Sequence, residues 1–184
     1  MSEHGRIPAI LVVVGASGAG KTTLVTALER RGLPGVGCYY FDTIGVPSNE
    51  EIVSRFGDGL GFQDWALDQW LQRLTRNTDD VRSAILDAHV RPSSAREAMR
   101  RHGIERGDVV LVDCSYPERN ARLCNERGQP ELATPTMDSW AAYLRGQADA
   151  LGLPIIDTTK IGIEEGTAQL GEIAARLTGT PLGS

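Results

Sequence analysis

The chain has 184 residues, of which 41% are hydrophobic and 23% are charged. This composition is typical of a globular protein and excludes an intrinsically disordered chain, and the length suits one domain. The formal net charge of -5 disfavours a broad nucleic-acid-binding surface, which would need a basic face.

Cysteine usage and hydropathy indicate the cellular compartment of the protein. The cysteines are odd in number and contain no C-x-x-C pair, which argues against a disulfide framework or a zinc site. No apolar run approaches the roughly 20 residues of a membrane-spanning helix, and residues 1–6 carry no signal-peptide pattern. We therefore expect a cytoplasmic protein with no membrane partner.

The first predicted strand leads directly into a glycine-rich loop and a helix. Residues 9–14 (AILVVV) form a continuous apolar run, typical of a parallel strand buried on both faces. The next eight residues match G-x-x-x-x-G-K-[ST], and a helix is predicted over 21–31. Glycines let such a loop wrap closely around phosphates, whose oxygens then meet backbone N–H groups and the positive end of the helix.

This loop predicts a site for ATP and Mg²⁺. Lys21 is expected to bridge the β- and γ-phosphates, and the Thr22 hydroxyl is expected to be a ligand of Mg²⁺. The residues expected to hold the nucleotide are Gly15, Ala16, Ser17, Gly18, Ala19, Gly20, Lys21, Thr22 and Thr23.

The second predicted strand (38–41) delivers Asp42 at its end. Two helical patterns follow, near 49–56 and 62–75, separated by a glycine cluster. No strand pattern occurs in this stretch, so residues 46–78 are interpreted as a helical cap over the site rather than as a separate domain.

The third predicted strand (83–86) is followed by a helix over 93–102. At its end, L-D-A-H-V-R (86–91) resembles the L-D-G-F-P-R segment of adenylate-kinase-type proteins, although the residues between Asp87 and Arg91 differ. The resemblance implies that Asp87 orders the hydration shell of Mg²⁺ and that Arg91 grips a phosphate or carboxylate of the acceptor. A carboxylate suits the metal, and arginine offers a bidentate fork for an anion.

The fourth predicted strand (109–112) and the helix over 117–126 resemble the lid entry of shikimate-, gluconate- and adenylate-type kinases. The resemblance implies that Arg122 stacks on adenine and that Arg127 reaches the transferring phosphate. The offset of Arg127 is one residue longer than in many adenylate kinases. Residues 126–136 are the expected lid, which is short and has no cysteine set for a zinc-stabilised form.

The rest of the chain completes an α/β pattern, with a helix over 137–151, a strand over 154–156 and a helix over 164–177. Strands separated by helices predict a parallel sheet covered on both faces, with ligands at the carboxyl ends of the strands. The segment after the last strand, T-K-I-G (159–162), lacks the aspartate of the N-K-x-D motif that reads guanine, which disfavours a GTPase switch.

Together these motifs resemble the superfamily of P-loop small-molecule and nucleotide kinases. The resemblance implies a three-layer P-loop NTPase fold whose five-stranded parallel sheet has the order 2-3-1-4-5. It covers residues 1–184 as a single kinase-like domain, with a flexible tail at 179–184. In related small-molecule kinases an acid at the position of Asp42 orients or deprotonates the acceptor hydroxyl, which makes Asp42 the candidate base and an acceptor-binding residue. An Asx-type turn before Gly45 is the competing interpretation.

The leading hypothesis is a kinase that moves the γ-phosphoryl group of Mg-ATP to a small-molecule hydroxyl or phosphate acceptor. The proposed catalytic residues are Lys21, Asp42, Arg122 and Arg127. The alternatives are a nucleotide-binding regulatory or ATPase module without such an acceptor, and a kinase of nucleic-acid ends. The sequence leaves open the acceptor, the base preference and whether the protein is a monomer or a homodimer.

Overall fold

The computed structural model describes residues 7–76 and 81–178 of the chain. Its strands are β1 (Ala9–Val14), β2 (Val36–Tyr40), β3 (Ser83–Asp87), β4 (Gly107–Asp113) and β5 (Ile155–Asp157). Its α-helices are α1 (Lys21–Arg30), α2 (Asn49–Phe56), α3 (Gly59–Arg76), α4 (Pro92–Arg101), α5 (Tyr116–Ala121), α6 (Pro135–Leu151) and α7 (Ile163–Thr178). Short 3₁₀ helices occupy Phe41–Ile44 and Pro130–Leu132, and a π-helical turn occupies Arg122–Glu126.

The five strands are parallel and form one sheet in the order β2-β3-β1-β4-β5. The predicted α/β fold and strand order are therefore confirmed. Because all strands run the same way, their carboxyl ends lie along one edge of the sheet, and the glycine-rich loop follows the central strand β1 at that edge.

Both faces of the sheet are covered, which explains the uninterrupted apolar run in β1. Ile10, Val12 and Val14 belong to a core cluster shared with residues of α3, α4 and α6. Leu11 and Val13 belong to a second cluster shared with residues of α1 and α7. Alternate side chains of one strand thus enter two different cores, and the three-layer arrangement is confirmed.

Among the element boundaries that differ from the sequence prediction, two lie at the carboxyl edge of the sheet. The chain leaves β2 at Tyr40 and turns through a 3₁₀ helix, which the Gly45 N–H closes by donating to the backbone carbonyl of Asp42 (3.1 Å). The helix predicted over 117–126 is α-helical only to Ala121 and then widens into the π-helical turn. Hydrophobic periodicity does not report either change, because both depend on local hydrogen bonding at the sheet edge.

The predicted cap corresponds to α2 and α3, which stand between β2 and β3. The end of that prediction, residues 77–78, and the predicted flexible tail 179–184 lie outside the described residues. Within the described ranges, none of the helices combines the length and the apolar character that crossing a bilayer requires.

Candidate active site

The glycine-rich loop packs so closely against its neighbours that side chains are excluded. A Cβ atom added at Gly15 would lie 2.2 Å from the carbonyl oxygen of Val112 at the end of β4. One added at Gly18, whose φ is +81°, would lie 2.9 Å from side-chain carbons of Arg119 and Leu123. The sequence needs glycine here because of this contact with β4 and α5 as well as for close approach to a ligand.

Lys21 begins α1 and is almost fully buried, with 4% of its surface exposed. Its ammonium group donates to the carbonyl oxygens of Gly15 (2.7 Å) and Ala16 (3.3 Å). Burial lowers its pKa, the nearby charge of Asp87 raises it, and the charge of Arg127 lowers it again. A buried cation at the mouth of a ring of backbone N–H groups is suited to bind a polyphosphate.

Thr22 and Asp87 lie together beside this lysine. The Thr22 hydroxyl donates to Oδ2 of Asp87 across 2.5 Å, which joins the start of α1 to the end of β3. Asp87 is 5% exposed, and its other oxygen, Oδ1, is buried without a hydrogen-bond partner among the described residues. A buried carboxylate oxygen without a partner costs free energy, and a hydrated divalent cation would satisfy it. The donor set of hydroxyl and carboxylate therefore fits Mg²⁺.

These groups open into a cleft with a volume of about 720 Å³. Besides the glycine-rich loop and α1, the residues that line the cleft include Asp42, His89, Arg122 and Arg127. Since all of these but His89 were predicted as site residues, the structure brings together most of the predicted phosphate, acceptor and lid groups.

Asp42 and His89 form the wall of the cleft beyond the ends of β2 and β3. Nε2 of His89 lies 3.6 Å from Oδ2 of Asp42, too far for a hydrogen bond. The Asp42 side chain is 64% exposed, and no hydrogen bond to the local turn engages its carboxylate in the described part of the chain. Burial lowers the pKa of His89, and the charge of Lys21 lowers it further. A neutral imidazole therefore faces an open carboxylate.

The turn that carries Asp42 is anchored by the cap. The indole N–H of Trp70, on α3, donates to the backbone carbonyl of Phe41 (3.1 Å), and both residues are buried. Phe41 directly precedes Asp42, so this bond holds the turn against the cap core. Trp70 is not among the site residues predicted from the sequence.

Arg91 does not line this cleft. Its guanidinium donates to Oδ2 of Asp64 on α3 (3.0 Å), and the two residues line a separate pocket of about 290 Å³ between α3 and α4. The predicted acceptor-binding role of Arg91 stays a prediction.

The two lid arginines differ in their surroundings. Arg122 donates through Nε to Glu118 (3.0 Å) and through its two terminal nitrogens to Thr158 (2.9 and 2.8 Å). Arg127 is exposed, and its guanidinium has no hydrogen-bond or ion-pair partner among the described residues. The π-helical turn between them is closed by the Arg127 N–H, which donates to the Arg122 carbonyl (3.0 Å). Such a turn accommodates one extra residue, which agrees with the longer offset of Arg127 noted in the sequence.

A second pocket of about 250 Å³ adjoins the loop on the side of β5. Its lining includes Gly20 and Arg122, together with Thr158 and residues 161–163 from the segment between β5 and α7. The sequence showed only that this segment lacks a guanine-reading motif, and its place beside the loop was missed. The rule that ligands bind beyond the carboxyl ends of parallel strands, applied to β5, would have found it.

No protein-family model matches the sequence, and no curated protein matches it. Solved structures do match. A shikimate kinase from Acinetobacter baumannii, in complex with shikimate, has 17% sequence identity and a TM-score of 0.60, with 92% of this chain and 94% of that chain covered. A gluconokinase from Sinorhizobium meliloti has 19% identity and a TM-score of 0.55, covering 94% and 97%.

The tunicamycin resistance protein of Deinococcus radiodurans has 18% identity and a TM-score of 0.63, covering 97% of this chain and 99% of that chain. Near-complete coverage on both sides means that the similarity extends over the whole architecture. At these identities it establishes the fold. The chain therefore has the fold of the P-loop small-molecule kinases, as its motifs predicted.

Proposed function

We propose that the protein is a kinase that transfers the γ-phosphoryl group of Mg-ATP to a hydroxyl group of a small molecule. The observation that carries the proposal is the arrangement at the start of α1. Buried Lys21 lies beside the loop, and Thr22 is hydrogen-bonded to a buried Asp87 whose second oxygen has no hydrogen-bond partner in the described ranges. This combination costs stability in the free protein and is compensated when a metal-bound polyphosphate binds.

The loop amides and Lys21 would hold the phosphates, and the base would enter the second pocket beside Arg122. Thr22 and Asp87 would hold Mg²⁺, directly or through its water. Bound there, the metal would neutralise phosphate charge.

On the acceptor side, Asp42 would accept the proton of the attacking hydroxyl. The acceptor oxygen bonds to the γ-phosphorus, the bond to the β-phosphate oxygen breaks, and ADP leaves. Arg127, which has no partner within the described residues, is available to neutralise charge on the transferring group. Neutral His89 would orient the acceptor next to Asp42.

The cap favours a hydroxyl over a phosphate acceptor. The guanidinium of Arg55 lies 5.1 Å from the ring centroid of Phe56 and 5.9 Å from that of Trp65. That of Arg73 lies 5.6 Å from the ring of Trp70. Neither arginine lines the cleft. A nucleoside monophosphate would need cap arginines that point to the acceptor, so a polyol, sugar or other hydroxyl compound is better supported.

The test is a screen for acceptor-stimulated ADP release over sugars, sugar acids, polyols, aminoglycosides, nucleosides, nucleoside monophosphates and short oligonucleotides, with mass spectrometry of the products. We expect a phosphorylated hydroxyl compound, and we expect Lys21→Ala to abolish its formation. Near-normal turnover by Lys21→Ala would remove its assigned role. Tight nucleotide binding with no acceptor-stimulated release would favour a regulatory or ATPase module, and phosphorylated oligonucleotide ends would favour a nucleic-acid-end kinase.

A further inference from the structure

Thr158 joins the end of the sheet to the phosphate loop. It directly follows β5 and is 5% exposed. Its backbone N–H donates to the carbonyl of Asp113 at the end of β4 (2.8 Å). Its hydroxyl lies 2.8 Å from the carbonyl oxygen of Ala19 in the phosphate loop and 3.2 Å from that of Asp113. The proton of the Thr158 hydroxyl is therefore directed at the carbonyl oxygens of the loop and of β4.

The same residue holds the arginine at the root of the lid. The Thr158 hydroxyl accepts a hydrogen bond from Nη1 of Arg122 (2.9 Å), and the Thr158 carbonyl accepts one from Nη2 (2.8 Å). With the bond from Nε to Glu118 (3.0 Å), three of the five guanidinium N–H groups are occupied. These bonds use N–H groups in the guanidinium plane and fix its orientation, and they do not involve its flat faces.

This link lies against the nucleotide site. A Cβ atom added at Gly20 would lie 3.7 Å from Nη1 of Arg122 and 3.8 Å from the hydroxyl oxygen of Thr158. Both side chains line the second pocket, and Arg122 also lines the main cleft and begins the π-helical turn that leads to the lid. The orientation of Arg122 relative to the loop thus depends on one threonine that no sequence motif singled out.

We propose that Thr158 is a positioning residue: its hydroxyl sets the orientation of Arg122 against the phosphate loop and so preorganises the base side of the nucleotide site. The proposal rests on the proposed function, because it requires the site to bind a nucleotide. Without the hydroxyl, Arg122 loses a charge-assisted bond and rotates more freely, so binding must first order it. Thr158 acts through Arg122 and does not contact the reacting atoms.

Two substitutions separate the hydroxyl from the volume of the side chain. Thr158→Val replaces the hydroxyl with a methyl group of similar size, whereas Thr158→Ser keeps the hydroxyl and removes the methyl group. Thr167→Val is the matched control. Thr167 is 1% exposed, its hydroxyl donates to the Ile163 carbonyl within α7 (2.7 Å), and it lines neither the cleft nor the second pocket.

The experiment is calorimetric titration of each variant with Mg-ADP, a non-hydrolysable Mg-ATP analogue and Mg-tripolyphosphate, which has no base. We expect Thr158→Val to bind the nucleotides about 10-fold more weakly, and Thr158→Ser and Thr167→Val to stay within about 3-fold of the wild type. Tripolyphosphate affinity should change much less, because Arg122 acts on the base side. A general loss of loop structure would weaken all three ligands equally.

A double-mutant cycle with Arg122→Ala completes the test: in that background Thr158→Val should cost little further affinity. Equal nucleotide affinity for Thr158→Val and wild type, or a full additional loss in the Arg122→Ala background, would overturn the inference. So would equal weakening of nucleotide and tripolyphosphate. Should Thr158→Val fail to fold, Thr158→Ala compared with Thr158→Ser carries the same test, because these two side chains differ only in the hydroxyl. If the wild-type protein binds no nucleotide, that result overturns the proposed function instead.

Discussion

The hydroxyl of Thr22 and Oδ2 of Asp87 lie 2.5 Å apart, although 65 positions separate them in the chain. One residue begins α1 and the other ends β3, so parallel pairing of β1 with β3 brings them together. The second Asp87 oxygen is left buried without a partner in the described structure. This relationship is the structural basis for expecting a metal-bound nucleotide.

Asp87→Asn is expected to remove most of the magnesium dependence of nucleotide binding. An amide keeps the shape of the carboxylate but not its charge, and the charge attracts the hydrated cation. Titrations with ATP, with and without Mg²⁺, should show that the gain in affinity due to the metal falls about 10-fold or more. Glu126→Gln, also in the cleft, should retain the gain. If the Asp87 variant keeps its full metal dependence, the assignment is wrong.

Nucleotide affinity should fall at alkaline pH. The fall should begin at a lower pH than it would for a lysine with an ordinary pKa. Burial lowers the pKa of Lys21 below its usual 10.5, so the ammonium loses its charge as pH rises through that lowered value. Between the lowered pKa and 10.5 the unfolded chain binds more protons than the folded one, so the Lys21 contribution to stability increases with pH. Lys21→Met should abolish both trends, as measured by titration and by denaturation at several pH values.

Asp42→Asn is expected to lower kcat about 100-fold or more while nucleotide affinity stays within about 2-fold, because the carboxylate serves the acceptor. Steady-state kinetics and calorimetry measure the two quantities. Since burial lowers the pKa of His89 below 6.5, any change in kcat that His89 causes should lie at a lower pH than for an ordinary histidine. An unchanged kcat in the Asp42 variant would exclude it as the base.

Arg127→Ala is expected to reduce kcat about 100-fold with little change in the Kd for nucleotide, because its guanidinium is free to act on the transferring group. Arg30→Ala is the control. Arg30 also lines the cleft, but it lies two helical turns, about 12 Å, along α1 from Thr22, and its loss should change kcat less than about 2-fold. Similar effects of the two substitutions would argue for general electrostatics rather than a specific contact.

Two glycine substitutions should have opposite effects on stability. Gly18→Ala puts a Cβ atom 2.9 Å from Arg119 and Leu123 at a φ of +81°, and should lower the free energy of unfolding by about 1–3 kcal/mol. Gly146→Ala, in the exposed interior of α6 with no atom within 4 Å of the new Cβ, should raise it by about 0.5–1 kcal/mol. Urea denaturation measures both, and equal effects would contradict the packing argument.

The sequence predicted most of the features that depend on residues close together in the chain. The apolar run of β1 and the loop with Lys21 and Thr22 are contiguous, so their local structure follows from backbone conformation and hydrophobic periodicity. Alternation of strand and helix patterns was enough for the fold class, and the family resemblance supplied the strand order. Asp87 and Asp42 could be placed near the site because Asp87 ends β3 and Asp42 closely follows the end of β2.

Tertiary structure decided how these groups are used. Which arginines are free and which are engaged depends on contacts between distant segments: Arg91 pairs with Asp64, Arg122 bonds to Thr158, and Arg127 remains open to the cleft. No local pattern records such pairings, because they arise only when helices and strands pack. The sequence by itself thus determined the glycine-rich loop, whereas packing at the carboxyl edge of the sheet decided the orientation of the side chains around it.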